Sequence, residues 1–151
     1  MKVILAIAAM VGLDQLVKLW AVRVLQPIGS IPILDDVFSL TYLENRGAAF
    51  SMLENRVWLL ALVGIVIVAG IFWVIRKGWV SGALAQWSLY SIVGGAIGNL
   101  LDRIFRGYVV DLFNFQLIHF PVFNVADIFV CVGVGLFCIY TLFFSEKDEK
   151  K

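Results

Sequence analysis

Asp111 and Asp127 stand out among the ionisable residues because each is embedded in apolar or aromatic sequence, VVDLF and NVADIF. A carboxylate in such surroundings is costly to ionise, and a second one a few ångströms away raises one pKa further. One then holds a proton while the other acts as a base, the division of labour that activating a water for peptide hydrolysis needs. Sixteen residues separate the two, so spacing alone does not show that they meet. The fold must bring them together.

Asn45, Asn99, Arg103 and Asn124, which are expected to converge with the pair and with Asp102 on one membrane surface, could support it. Plainer roles stand beside that one. Asn124 and Asp127, three apart before an apolar run, fit an N-cap and its capping-box acid. Asp102 and Arg103 fit an ion pair at a helix end. Asp14 and Lys18, spaced i,i+4, share a helix face and can partner each other. Gly94 and Gly98 form a small-xxx-small spacing that lets helices approach closely. His119 has no second histidine or cysteine near it, and Cys131 and Cys138, seven apart, fit neither a disulfide framework nor a zinc site. No metal is expected.

The elements that hold these residues follow from composition. Of 151 residues, 62% are hydrophobic and only 15% charged, with a mean hydropathy of +0.95. A soluble domain carries about 25% charged residues, so the apolar surplus must face lipid. A net charge of +1 gives no electrostatic ground for a nucleic-acid partner. Charge-free stretches at 57–75, 78–101 and 128–145 approach the roughly 17–25 residues of a membrane span. A fourth apolar segment, Val3 to Leu25, is interrupted by Asp14, Lys18 and Arg23. A cleaved leader would end in a small-x-small site before Asp14; the sequence lacks a convincing one, and the apolar pattern resumes to Val22, so a retained helix is expected.

The expected fold class is therefore a mostly α membrane protein, one domain over 1–151 with four transmembrane helices at about 3–25, 57–76, 79–102 and 124–144. Parity puts both termini, the Arg76–Lys77–Gly78 turn and the charged tail 146–151 on one side. The segments at about 26–56 and 103–123 share the other, as a small β-rich extracytoplasmic cradle. Six Lys/Arg lie with the termini against five across the membrane, a slight bias toward cytoplasmic termini. Residues 37–43 and 109–115 are β-prone, and such backbone cannot sit bare in hydrocarbon. Strand 37–44 is expected to cradle an extended peptide by edge pairing. Trp58, Trp73, Trp79 and Trp87 fall near the span boundaries as interfacial anchors. From the polar residues alone, a small transporter or assembly factor is an open alternative, though such proteins place ionisable groups nearer the bilayer midplane.

Five ordered motifs narrow the choice: Asp14–Lys18 (DQLVK), Glu44–Phe50 (ENRGAAF), Gly94–Arg103 (GGAIGNLLDR), Gly107–Leu112 (GYVVDL) and Phe120–Asp127 (FPVFNVAD). Together they closely resemble the lipoprotein signal peptidases, or signal peptidase II. The resemblance implies a cofactor-independent aspartic endopeptidase of the bacterial cytoplasmic (inner) membrane. Its substrate would be a diacylglyceryl-modified prolipoprotein, cut on the N-terminal side of the lipidated cysteine. The catalytic pair of that family falls on Asp111 and Asp127. Its substrate-, lipid- or dyad-supporting residues fall on Asp14, Lys18, Asn45, Gly98, Asn99, Arg103, Asn124 and Ala126. Expected partners are the prolipoprotein, membrane lipid and globomycin-like peptide inhibitors, with the enzyme a monomer. Lys18 is expected to reach lipid by snorkelling.

Overall fold

The computed structural model describes residues 2–48, 52–118 and 120–144. Ala49 and Phe50 of the Glu44–Phe50 motif, His119 and the tail 146–151 lie outside the described residues. Helix α1 (Lys2–Trp20) runs on through a π-helical turn, Ala21–Leu25, into α2 (Gln26–Ile28). The Gln26 amide closes that turn by donating to Ala21 O, five residues back, an uncommon widening that often marks functional regions. Gly29, at φ 81°, then reverses the chain, a conformation that favours glycine.

Strands β1 (Ser30–Leu34) and β2 (Phe38–Asn45) follow, then α3 (Val57–Arg76), α4 (Ala83–Phe105), β3 (Val109–Phe115) and α5 (Val125–Phe143). The sheet is antiparallel in the order β1-β2-β3. The strand expected to offer its edge to a peptide is thus the central one, with both edges already paired. Between Leu40↔Phe113 and Leu43↔Asp111 the register shifts, so Thr41 and Tyr42 oppose Leu112 alone. Such a bulge bends a strand and re-aims its side chains; here it lies beside Asp111. On its other edge β3 bridges to Phe123: the amides of Leu112 and Phe113 donate to Phe123 O at 3.0 and 2.8 Å. That bridge places Asn124, the first residue before α5, alongside Asp111.

Helix α4 is the hub, packing on α1, α3 and α5, while α3 buries only Ala61. Among the described residues three helical stretches are long and apolar enough to cross a membrane: Lys2–Ile28, Val57–Arg76 and Val125–Phe143. Helix α4 has the length, 23 residues, but carries Asn99, Asp102 and Arg103. It starts four and ends three residues later than the expected 79–102, since Gly82 at φ 85° caps its start and Asp102 near its end is paired within the fold. Helices in lipid gain no hydrophobic drive to associate and rely on close packing. The glycines supply it. A Cβ on Gly94 would lie 2.9 Å from Met10 Sδ of α1, one on Gly98 2.6 Å from Asp14 Oδ2, and one on Gly133 2.6 Å from Ser88 O of α4. The four tryptophans of the predicted boundaries are all exposed, and Trp73 and Trp79 meet edge to face at 4.6 Å.

Candidate active site

Strand β3 supplies Asp111 and the first turn of α5 supplies Asp127, and Asn124 holds both. Its Nδ2 donates to Asp111 Oδ1 at 2.6 Å, its backbone amide donates to Asp127 Oδ2 at 3.1 Å, and its Oδ1 accepts the Asp127 amide at 3.0 Å. The capping box foreseen at Asn124 and Asp127 is therefore real, and the cap residue's side-chain amide serves Asp111 of the neighbouring strand and Asn99 Oδ1 of α4. Asn45, at the end of β2, donates from Nδ2 to Asp111 Oδ2 at 2.9 Å while its Oδ1 accepts the Gly47 amide. Asn99 of α4 donates from Nδ2 to Asp127 Oδ1 at 2.7 Å. All four carboxylate oxygens thus accept one N–H apiece and keep capacity for another proton or a water.

A second layer fixes the first. Lys18 is completely buried and its ammonium donates to Asn99 Oδ1 at 2.8 Å, to Asp14 Oδ2 at 2.9 Å and to Asp102 Oδ2 at 3.1 Å. An ammonium can only donate, so Asn99 must turn its oxygen to Lys18 and its amide nitrogen to Asp127. Asp14 Oδ1 accepts the Ala126 amide at 2.9 Å, pinning the start of α5 to α1. Gly98 is the gap through which Asp14 reaches. Lys18 therefore does not snorkel to lipid: all three of its protons are engaged inside the bundle.

The sequence reading missed the centre of this layer. Asp102, taken there as the partner of Arg103, instead accepts from Lys18, from Arg106 Nε at 3.2 Å, from the Val110 amide at 3.1 Å and from Gln15 at 3.4 Å. It binds the strand residue next to Asp111. The i,i+4 spacing of Asp102 and Arg106 was the available signal. Arg103 turns the other way, donating to Gly47 O and Asn99 O at 3.4 and 3.5 Å. Every residue of the expected site is thus tied into one network, Arg103 at its edge through the backbone carbonyls of Asn99 and Gly47.

Electrostatics fit the layout. Burial, and after it the Asp127 charge, pushes the Asp111 carboxyl up to about 7, with the Asn45 and Asn124 hydrogen bonds and Lys18 offsetting them only in part. Among the described residues neither carboxylate is in an ion pair; amides rather than cations hold them, so one can keep its proton near neutral pH. Both face a cleft of about 580 Å³ whose remaining walls are mostly apolar: Phe115, Ile118, Phe120 and Phe123 on one side, Ile128, Cys131 and Val132 of α5 on the other. A carboxyl pair of this kind, open to a cleft, can take a proton from a water and return one to a leaving group. Among the described residues no His/Cys/Asp/Glu group could hold a metal ion.

A profile of the signal peptidase II family matches residues 6–143. The chain is 46% identical to a lipoprotein signal peptidase of Clostridioides difficile (strain 630) over 151 residues, covering 99% of this chain and 100% of the relative. It is 44% identical to one from Geobacillus thermodenitrificans (strain NG80-2), covering 94% and 90%. Its fold is similar to a bacterial membrane enzyme solved by the in meso method at 2.3 Å resolution, with a TM-score of 0.83 and 27% identity over 99% of this chain and 92% of that one. The chain belongs to the signal peptidase II family and is a lipoprotein signal peptidase, an aspartic-type intramembrane protease that cleaves the signal peptides of prolipoproteins.

Proposed function

We propose that Asp111 and Asp127 are the catalytic pair and that the scissile bond lies on the N-terminal side of the diacylglyceryl-modified cysteine. The observation that carries this is Asn124, which holds one oxygen of each carboxyl group. The ionised member takes a proton from a water, whose oxygen adds to the scissile carbonyl carbon. The protonated member hydrogen-bonds the carbonyl oxygen as its charge grows. The protons then return, one to the departing amine, and the C–N bond breaks without a covalent enzyme intermediate. Asn45, Asn99 and Asn124 hold the carboxyls in place, with Asp14, Lys18, Gly98 and Ala126 bracing them from behind. Arg103, on the rim of the cleft, is available to a substrate carbonyl or head group.

Helix α4 serves as a fourth span. At 1.5 Å per residue its 23 residues reach about 34 Å, and its Ser91, Asn99 and Asp102 face neighbouring helices, where membrane proteins keep such groups. The enzyme then resides in the bacterial cytoplasmic membrane as a monomer with both termini cytoplasmic, and its site opens at the outer leaflet among lipid. Globomycin-like peptides would occupy the same cleft. Asp111→Asn and Asp127→Asn keep the side-chain shape but cannot share a proton, so each should accumulate in membranes yet cleave a lipidated precursor about 10²–10⁴-fold more slowly. Mass analysis locates the cut. Near wild-type cleavage by either variant removes that residue from the pair.

A further inference from the structure

A peptide held at the carboxyl pair has two ends with different needs. Its signal segment is apolar and stays in the bilayer, whereas the chain that follows the modified cysteine must run from the pair into water. A second cavity, of about 480 Å³, lies beside the first on that path. Asn45 and Ala48 on one side and Phe120, Pro121 and Val122 on the other line both cavities. The two therefore adjoin at Asn45, the residue that donates to Asp111. Among the described residues no membrane-spanning helix contributes to the second cavity. The end of β2, the chain beyond it and residues 120–122 form its walls.

The charges on these walls do not balance. Glu44 accepts from Arg46 Nη2 at 3.1 Å and from the Tyr42 hydroxyl at 3.3 Å, and Arg46 also lies over the Tyr108 ring at 5.5 Å. Glu44 and Arg46 thus neutralise each other. Glu54 reaches the cavity from further along the chain, where the Asn55 amide donates to Arg46 O at 3.1 Å and the Ala48 amide to Met52 O at 2.7 Å. Glu54 is exposed and, among the described residues, is in no ion pair. Two carboxylates against one guanidinium leave the cavity with an uncompensated negative charge. We propose that this cavity binds the residues that follow the lipidated cysteine and, through Glu54, favours lysine or arginine there over aspartate or glutamate. The inference rests on the function proposed above. A single solvent-exposed charge pair shifts an equilibrium by about 1.4- to 5-fold, so exchanging two basic residues for two acidic ones compounds several such factors.

Three lipidated precursor peptides, carrying Lys-Lys, Ser-Ser or Glu-Glu directly after the modified cysteine, are compared in neutral detergent at low salt. The wild type should cleave the Lys-Lys form with at least about fivefold higher kcat/KM than the Glu-Glu form, with Ser-Ser between them. Glu54→Gln should bring that ratio below about twofold, and Glu54→Lys should reverse it. Asp35→Asn, which removes an exposed acid of the β1–β2 turn outside both cavities, should leave the ratio as in the wild type. Equal cleavage of the Lys-Lys and Glu-Glu forms by the wild type would overturn the proposal, as would a ratio that Glu54→Gln leaves untouched or that Asp35→Asn lowers as far. A wild-type enzyme that cleaves none of the three would instead defeat the underlying function. A second measurement needs no change at Glu54. In Asp111→Asn protein, a benzophenone-bearing residue placed second after the cysteine of the bound precursor should cross-link to residues 43–48 or 120–122. Cross-links confined to α1 or α5 would overturn the proposal.

Discussion

Asp111 is withdrawn from water, 1% exposed, and its carboxyl titrates near 7 because burial, then the Asp127 charge, disfavours ionisation. The pair is active while it holds one proton, so kcat/KM should fall as pH rises through about 7, with an acid limb where a second proton binds. Asn45 donates to Asp111 and so favours its ionised form. Asn45→Ala should therefore move the alkaline limb to higher pH, whereas a residue that merely shapes the cleft would lower the rate and leave the limb in place. Stability follows the same group. Its folded pKa lies above the unfolded 3.8, so the folded state binds more protons across that window. Stability is then greatest at low pH and falls as pH rises from about 4 through 7. Thermal denaturation in detergent should show that slope in the wild type and a flatter one in Asp111→Asn. The residue types were legible in the sequence. Their amide orientations were not, since each depends on partners that other elements bring to it.

At the scale of elements, α1, α3 and α5 were legible because a charge-free or nearly charge-free run of that length has few other fates. β1 was not: four of its five residues are exposed, so no in-out alternation marks it. The register shift beside Asp111 was equally hidden, because two residues opposing one is a property of a pair of strands and not of either sequence. The close approach of α1, α4 and α5 was half legible. Gly94 and Gly98 gave the spacing, but not which helix each would face. The glycines now make a graded prediction. A methyl on Gly98 would collide with Asp14 Oδ2 and sit 3.2 Å from Ala126 Cβ, whereas one on Gly135 meets nothing within 4 Å. Gly98→Ala should cost about 1–3 kcal/mol, as overpacked sites do, and lower activity by loosening the Asp14 hold on Ala126. Gly135→Ala should leave melting temperature and activity unchanged in detergent. Equal tolerance at both positions would mean that α1 and α4 have room to separate.

For the whole molecule, the network is what joins α1, α4, β3 and α5 into one unit. Asp14, Asp102, Lys18 and Arg106 balance to zero formal charge: Lys18 touches both carboxylates, and Arg106 touches Asp102. The Asp14–Lys18 half was visible as an i,i+4 pair. The Asp102 half, 84 residues beyond Lys18 in the sequence, could be found only once the helices were packed. Lys18→Met keeps the length of the side chain but leaves two buried carboxylates short of a counter-charge, a class of change that costs about 3–5 kcal/mol. It also frees Asn99 to turn its amide away from Asp127. These consequences separate in a double-variant cycle. Adding Asp14→Asn to Lys18→Met removes the surplus negative charge, so membrane accumulation and melting temperature should recover in part. Cleavage of lipidated precursor should stay low, because Asn99 Oδ1 still lacks the lysine donor that fixed its orientation. Recovery of activity together with stability would mean that Lys18 acts through charge balance alone. Full activity in Lys18→Met by itself would show that Asn99 keeps its orientation through Asn124, whose Nδ2 lies 3.1 Å from the same oxygen, and that the lysine is dispensable to the chemistry.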